Sequence, residues 1–302
     1  MYSVPERIFH RNNRNIISCL ISHPEDFSLT SGGNEVDLQG MVTADGLLDD
    51  ATHGTGKLTN VNPRWTVTRG GTDNFSGTTK DATVLTNVRT ALNVIYTPSN
   101  SNYNGVNGYI DLTLQDVTTL PKQNTGTGAL EKYHQLRSVE LSAATSIGEK
   151  AFYYCEALTT ASMPKATSIG DYTFFNCAAL TTVNMPMATS IGSGAFSACY
   201  ALTKVSMPKV TSIGNYGFSG CNALTTASMP KATSIGNDAF NNCKALTTVN
   251  ILQATSIGNR AFSDCKTLTT ASMPQATSIG SGAFYGCIAL QSLDLSLIHI
   301  SE

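Results

Sequence analysis

Cysteine is the residue type in this sequence with the most regular spacing. The cysteines stand at positions 19, 155, 177, 199, 221, 243, 265 and 287, and from Cys155 onward each lies 22 residues after the one before. Thiols can act as nucleophiles, form disulfides or bind zinc. A zinc site needs several ligands close together, and the sequence has no C-x-x-C pair. Such regular spacing instead indicates a structural repeat.

The cysteine column is predicted to hold free thiols. In stacked coils the Cα atoms of successive cysteines would lie about 5 Å apart, which is within disulfide range. Their side chains would nevertheless point in parallel rather than toward each other. Cysteine also behaves as a small buried hydrophobic residue. We therefore expect a buried ladder of thiols, no metal and no cofactor, and we expect Cys19, outside the regular series, to be packed rather than reactive.

The sequence around the cysteines repeats almost verbatim. With the cysteine as position one, Leu recurs at position four, Val or Ala at seven, Met at nine, Pro at ten, Ile-Gly at fifteen and sixteen, and Phe at twenty. Seven copies span 133–286, the first with Tyr133 in place of cysteine, and a partial eighth begins at Cys287. We call them coils one to eight. A unit of this length cannot bury a core alone, so the array is predicted to be a solenoid.

The stretch LTTVNM at 180–185 predicts one strand of each coil. Alternation places Val183 and Met185 inward and Thr182 and Asn184 outward, and Pro186 ends the strand because it cannot donate to a ladder. Parallel strands from successive coils would stack at about 4.8 Å. We expect the glycine of the Ile-Gly step to adopt a positive φ. The A-F-x-x-C segment is expected to form a short helical or 3-10 turn that brings Phe and Cys into the core.

The copies resemble a known repeat family. Segments such as LTTASMPKATSIGDYTFF at 158–175 resemble the BspA-like, or Treponema pallidum-type, leucine-rich repeats, whose pattern is approximately L-x-x-I-x-I-P-x-x-V-x-x-I-G-x-x-A-F-x-x-C. The unit here is one residue shorter than the usual one, between the proline and the Ile-Gly step. The resemblance implies a surface or secreted protein that binds other proteins, host matrix or glycans, and it implies binding rather than catalysis.

The N-terminal part has a different pattern. Residues 1–27 remain unassigned, and we predict no signal peptide there because the apolar run IISCLI is too short. From 28 to 117, short alternating segments predict a β-sandwich. Its segment RWTVTR and the later YTPSNSNYNGVNGYIDLTL resemble bacterial Ig-like modules, with Trp65 expected in the core. Residues 118–132 are predicted to be a linker and a cap for the first coil.

The C-terminal octapeptide LSLIHISE at 295–302 breaks the repeat abruptly. It resembles a translation of the transposon mosaic-end adapter used in sequencing libraries. We therefore exclude 295–302 from fold reasoning and assign the repeats to 133–294. The predicted fold is mainly β: an Ig-like β-sandwich followed by a leucine-rich-repeat solenoid.

Catalytic motifs are not evident. The sequence contains no G-x-S-x-G elbow, no H-E-x-x-H and no complete P-loop, and the fragment GTGK at 54–57 is interpreted as a loop. Asp45, Asp49 and Asp50 could hold calcium, although a solvated turn is the simpler interpretation. A net charge of −2 and the lack of any long apolar run argue against a nucleic-acid surface and against a membrane span. We expect a protein that is not an enzyme.

The surface predicted to bind is the outward side of the strands, at positions six and eight. Its hydroxyl and amide groups supply both donors and acceptors, which suits a neutral polar partner such as a glycan, with Lys204 as the one charge in its middle. Alternatively, Thr and Ser simply fit a solvated β face. The residues are Thr160, Ser162, Thr182, Asn184, Lys204, Ser206, Thr226, Ser228, Thr248, Asn250, Thr270 and Ser272.

Two functions follow as hypotheses. The first is a non-enzymatic adhesion protein, secreted or displayed on a bacterial cell surface, that contacts protein or glycan on a host or neighbouring cell. The alternative is a tail-associated receptor-binding protein of a bacteriophage virion, which needs no export signal.

Overall fold

The computed structural model describes residues 117–120, 128–134 and 136–295 in full. Outside those ranges it describes the backbone of six short strands and the buried side chain of Leu112. The six strands are β1 (Ile17–Ser18), β2 (Ser28–Ser31), β3 (Asn34–Asp37), β4 (Met41–Val42), β5 (Arg64–Thr68) and β6 (Tyr109–Thr113).

Most of these N-terminal strands continue a sheet of the solenoid. β1 pairs antiparallel with β4 alone. β2 pairs antiparallel with β3 and β5, and β5 pairs in parallel with β6. β6 in turn pairs in parallel with β8 (Leu136–Glu140), the strand of coil one. The Ig-like sandwich over 28–117 stays a prediction, because most of that range and the Trp65 side chain lie outside the described residues.

The predicted strand of each coil is confirmed. Strands of neighbouring coils, except those of coils three and four, pair in parallel and in register, so that Thr160 lies beside Thr182 and Ser162 beside Asn184. We call the outward side of this ladder, positions five to eight, the strand face. Its strands after β8 are β10 (Thr160–Ser162), β12 (Thr182–Asn184), β14 (Lys204–Ser206), β16 (Thr226–Ser228), β18 (Thr248–Asn250), β20 (Thr270–Ser272) and, in coil eight, β22 (Ser292–Asp294). Residues 296–302 lie outside the described part.

A second parallel ladder of eight strands runs along another side of the solenoid. Seven of its strands are the Ser-Ile pair at positions fourteen and fifteen, whose isoleucine side chain points into the core in coils one to six, and the eighth is a Thr-Leu pair before coil one. The strands are β7 (Thr119–Leu120), β9 (Ser146–Ile147), β11 (Ser168–Ile169), β13 (Ser190–Ile191), β15 (Ser212–Ile213), β17 (Ser234–Ile235), β19 (Ser256–Ile257) and β21 (Ser278–Ile279).

The third side of each coil consists of turns. The prediction of a short helical or 3-10 turn in the A-F-x-x-C segment is wrong. Among the described residues no helix is present. Positions eighteen and twenty-two have positive φ, as at Tyr172 (54°) and Asn176 (56°), which interrupts any helical run. The N–H groups of alternate residues donate to the next coil instead, as from Phe174 to the Ala195 carbonyl at 2.7 Å. We call the outward side of positions seventeen to twenty-two and position two the turn face.

The core consists of columns of identical side chains. The phenylalanine rings at position twenty stack from Phe152 to Phe284, with successive centroids 5.1–5.4 Å apart and planes within 10° of parallel. The leucines at position four in coils one to seven are fully buried. The coil therefore buries its apolar side against its neighbours, as the repeat predicted.

The glycine at position sixteen has a different role from the expected one. None of the described glycines at that position has a positive φ. A Cβ on Gly192 would instead lie 2.6 Å from the backbone nitrogen of Asp171 in the preceding coil. Glycine is needed there because the backbones of neighbouring coils approach too closely for a side chain.

The described residues before the first repeat lie in register with coil one. Leu112 pairs in register with Val139, and Leu120 pairs with Ile147. The Leu130 N–H donates to the Ala151 carbonyl at 2.7 Å, so Leu130 takes the place that phenylalanine has in the later coils. Where it is described, the segment 118–132 thus lies against coil one; its role as a linker and cap stays a prediction.

Candidate functional site

The strand face carries the residues predicted to bind. The pairing register places the side chains of position six in one row and those of position eight in a second row, one pair per coil. Between them the side chain of position seven points inward and is buried in most coils. All twelve predicted residues lie on this face: Thr160, Thr182, Lys204, Thr248, Thr270, Asn184 and Ser206 are exposed, and Ser162, Thr226, Ser228, Asn250 and Ser272 are half-buried.

The two rows are interrupted once, between coils three and four. Backbone pairing joins β10 to β12 and β14 to β16, but none joins β12 to β14 in the described chain. At position eight, Asn184 and Ser206 on either side of this step are exposed, whereas the corresponding residues of the other coils from two to eight are half-buried. We call the step between β12 and β14 the seam.

The seam coincides with a change in the core. Valine and alanine alternate at position seven, and every paired step of coils one to eight contains one alanine. Val183 and Val205 are the exception, because two valines face each other across the seam. Val183 is half-buried while Val205 is 2% exposed. At every paired step a branched side chain lies beside an alanine, whereas Val183 and Val205 are both branched. The two valines are too bulky to fit side by side, so β12 and β14 do not pair.

Side chains at position eight also contact each other along the row. Asn184 Nδ2 donates to Ser162 Oγ at 3.2 Å, and Asn250 Nδ2 donates to Ser228 Oγ at 3.4 Å. The Oδ1 atom of Asn250 is buried without a hydrogen-bond partner. These hydrogen bonds hold the amide groups in fixed orientations, so the row presents its polar groups in a defined order.

Threonines at positions five and thirteen have a structural role that sequence reasoning missed. Thr181 Oγ1 donates to the Thr159 carbonyl at 3.0 Å, and Thr189 Oγ1 donates to the Thr167 carbonyl at 2.9 Å. Most other coils repeat these two bonds. The hydroxyl groups at positions five and thirteen are thus already hydrogen-bonded to the preceding coil, unlike those at position six. Only their invariance from coil to coil distinguishes them in the sequence.

The cysteine column is part of the core and forms the predicted ladder of free thiols. Each thiol donates to the carbonyl oxygen of the residue 25 positions earlier, as from Cys177 to Phe152 at 3.1 Å. Burial raises the pKa of the Cys155 thiol to about 12. Buried, protonated thiols of this kind are poor nucleophiles and poor metal ligands.

Clusters of ionisable side chains could in principle support other chemistry. In the ranges that the structure describes, no group of three or more His, Cys, Asp or Glu side chains could hold a metal ion. Asp45, Asp49 and Asp50, the possible calcium ligands, lie outside the described residues, as does the fragment at 54–57. No helix in the described part is long and apolar enough to cross a membrane.

Comparison with protein families agrees with this geometry. The family model described as BspA type leucine-rich repeat region, in six copies, matches residues 111–199, 145–269 and 189–302. The chain belongs to the BspA-type leucine-rich repeat family. The matched ranges cover more than half of the chain and include the coil that precedes residue 133. None of the curated proteins matches this BspA-type chain.

Solved structures of bacterial leucine-rich repeat proteins are similar to this BspA-type chain. One from Bacteroides ovatus is 26% identical, with a TM-score of 0.47 over 60% of this chain and 49% of the other. The Treponema pallidum leucine-rich repeat protein is 24% identical, with a TM-score of 0.47 over 58% of this chain and 85% of the other. A leucine-rich cell surface protein from Faecalibacterium prausnitzii is 20% identical, with a TM-score of 0.26 over 64% and 80% of the two chains. The chain spans about half the length of the Bacteroides ovatus protein.

Proposed function

We propose that this BspA-type protein is a non-enzymatic binding protein of the bacterial cell surface that contacts protein or glycan ligands through its strand face. The observation that carries the proposal is the pair of outward polar rows at positions six and eight. They repeat once per coil, in register on either side of the seam, above one continuous buried core. Repeat proteins use extended surfaces of this kind to bind their partners.

The chemistry of the core supports binding rather than catalysis. The cysteines are the strongest potential nucleophiles in the repeats, and six of the seven are fully buried with hydrogen-bonded thiols. The rows of the strand face consist mainly of threonine, serine and asparagine. Such groups donate and accept hydrogen bonds, but they lack the paired acid and base that catalysis requires.

The proposal is tested by blocking the strand face. Thr248 and Thr270 are exposed on that face, and Ser281 is exposed on the turn face. The double variant Thr248→Trp/Thr270→Trp adds bulk where a ligand would lie, whereas Ser281→Trp serves as the matched control. Binding to arrays of matrix proteins and glycans is measured for each. We expect the double variant to lose its ligands and the control to keep them; equal binding by all three proteins would contradict the proposal.

Location is tested separately. The gene is expressed with its own genomic flanks, and intact cells are treated with an external protease. Digestion of the protein on intact cells would support a surface location. A protein that resists the protease until the cells are lysed would contradict it and favour the bacteriophage alternative.

A further inference from the structure

The acidic side chains of coils two to seven are confined to one side of the solenoid, whereas four of the six lysines of these coils lie on the other side. Four exposed lysines lie on the strand face or at the corner that follows it, at positions six and eleven: Lys165, Lys204, Lys209 and Lys231. No acidic residue occurs at positions three to sixteen of these coils. We call the strand face together with position eleven the lysine side.

All acidic residues of coils two to seven lie on the turn face instead: Glu156, Asp171, Asp238 and Asp264. There Asp238 faces Arg260, with 3.8 Å between Oδ1 and Nε, and Glu156 faces His134 at 3.5 Å. In contrast, none of the ion pairs of the described residues involves a lysine of the lysine side. Among the described residues, these four lysines are therefore not paired with a carboxylate.

The lysines follow the repeat of the solenoid. Lys165, Lys209 and Lys231 all stand at position eleven, so they are separated by two coils and then by one. At about 4.8 Å per coil, the Cα atoms of Lys165 and Lys209 lie about 10 Å apart, and those of Lys209 and Lys231 lie about 5 Å apart. Between the first two stands Met187, and the Lys209 ammonium group donates to its sulfur at 2.9 Å. A partner that matches this side must carry several anionic groups along an extended chain.

The uncharged side chains narrow the class of partner. Next to the lysines lie hydroxyl and amide groups of positions six and eight, which can bind sugar hydroxyls. The lysine side of coils two to seven has no aromatic residue on which bases could stack, and no arginine, which is the preferred residue for phosphate recognition. This composition favours a polysaccharide over a nucleic acid.

We infer that the lysine side binds a linear anionic polysaccharide. The inference rests on the proposed function, because it assigns a ligand class to the same face. Lys204 and Lys209 belong to one coil beside the seam, where Asn184 and Ser206 are most exposed. Lys204 and Asn184 thus stand in adjacent coils of the strand face, where an anionic sugar unit could receive both ionic and hydrogen-bonded contacts.

The test compares two double variants that remove the same charge. Lys204→Gln/Lys209→Gln changes the lysine side, and Lys244→Gln/Lys266→Gln changes exposed lysines of the turn face. Binding is measured to heparin as the sulfated probe, to hyaluronate as the carboxylated probe and to dextran as the neutral one. We expect the first variant to lose about tenfold in affinity for an anionic probe, the second less than about twofold, and dextran not to bind. Added salt should weaken the wild-type complex.

Several results would overturn the inference. They are equal losses in both variants, no binding to either anionic polysaccharide, and equally tight binding to duplex DNA or polyglutamate. Preference for heparin or for hyaluronate identifies sulfate or carboxylate as the recognised group. If neither polysaccharide binds while Thr248→Trp/Thr270→Trp still abolishes binding to a protein ligand, this inference fails and the proposed function stands.

Discussion

The thiol of Cys221 donates a hydrogen bond to the carbonyl oxygen of Phe196 in the preceding coil, at a distance of 3.1 Å. This hydrogen bond lies in the middle of the core, and the thiol must be protonated to donate it. A thiolate would lose this donor and would place a charge among buried phenylalanine and leucine side chains. Burial accordingly raises the pKa of the Cys221 thiol to about 12, from an ordinary value of 9.0.

The thiol column predicts a loss of stability in alkaline solution. Folding raises the pKa of these thiols, so the stability that they contribute is complete below about pH 9, where they are also protonated in the unfolded chain. That stability is lost as the pH rises toward about 12. The free energy of unfolding should fall by up to about 1.4 kcal/mol per pH unit for each such thiol. Urea unfolding followed by circular dichroism at a series of pH values measures the slope.

A matched variant isolates the contribution of one thiol. Cys221→Ala removes a single titrating group, so its unfolding free energy should depend less steeply on pH in this alkaline range. A slope that is unchanged in the variant would contradict the assignment to the thiols. Rapid alkylation of the buried cysteines in the folded protein near neutral pH would contradict it as well.

Glycines at two positions of the coil should respond differently to alanine. A Cβ on Gly214 would lie 2.6 Å from the backbone nitrogen of Ser193, whereas a Cβ on Gly220 meets nothing closer than 3.8 Å. We expect Gly214→Ala to cost more than about 2 kcal/mol of unfolding free energy. Gly220→Ala should cost only about 1 kcal/mol of unfolding free energy, because alanine disfavours the positive φ of 75° at this position. Equal costs in urea unfolding would show that close approach is not the reason for glycine at position sixteen.

The period of the sequence predicted the columns of the core and the outward direction of the strand-face residues. It did so because alternation along a strand and repetition between coils both leave a direct trace in the sequence, as at Val183 and Met185. The role of glycine at position sixteen leaves no such trace, because a close approach between backbones and a positive φ both select glycine.

The left-handed residues and the preceding coil were also hidden from sequence reasoning. Position eighteen has positive φ at Tyr172 and Arg260, and neither residue type indicates that conformation. The coil before residue 133 has Leu130 where the others have phenylalanine, so it lacks the repeat pattern. In both cases the neighbouring coil imposes the conformation through backbone hydrogen bonds, and those contacts appear only in the folded stack.

Position twenty-two offers a way to stabilise the solenoid. Ala198 has a φ of 60°, and the same position holds glycine in coils four and seven. We expect Ala198→Gly to raise the free energy of unfolding by about 0.5 kcal/mol or more, because relief of the left-handed conformation exceeds the entropic cost of glycine. The control is Ala188→Gly, at a buried position without positive φ, which should destabilise. Destabilisation by both variants in thermal unfolding would contradict the expectation.

The seam should be the least protected step of the strand ladder. The backbone of β12 and β14 lacks the hydrogen bonds that join β16 to β18, so we expect amides of 181–185 to exchange with deuterium faster than those of 225–229. Val205→Ala places an alanine beside Val183, as at every paired step. It should close the ladder and slow exchange at 181–185, whereas Val249→Ala, in a paired strand, should not. Mass spectrometry of peptides from the two segments gives the rates, and equal exchange in the wild-type protein would exclude an open seam.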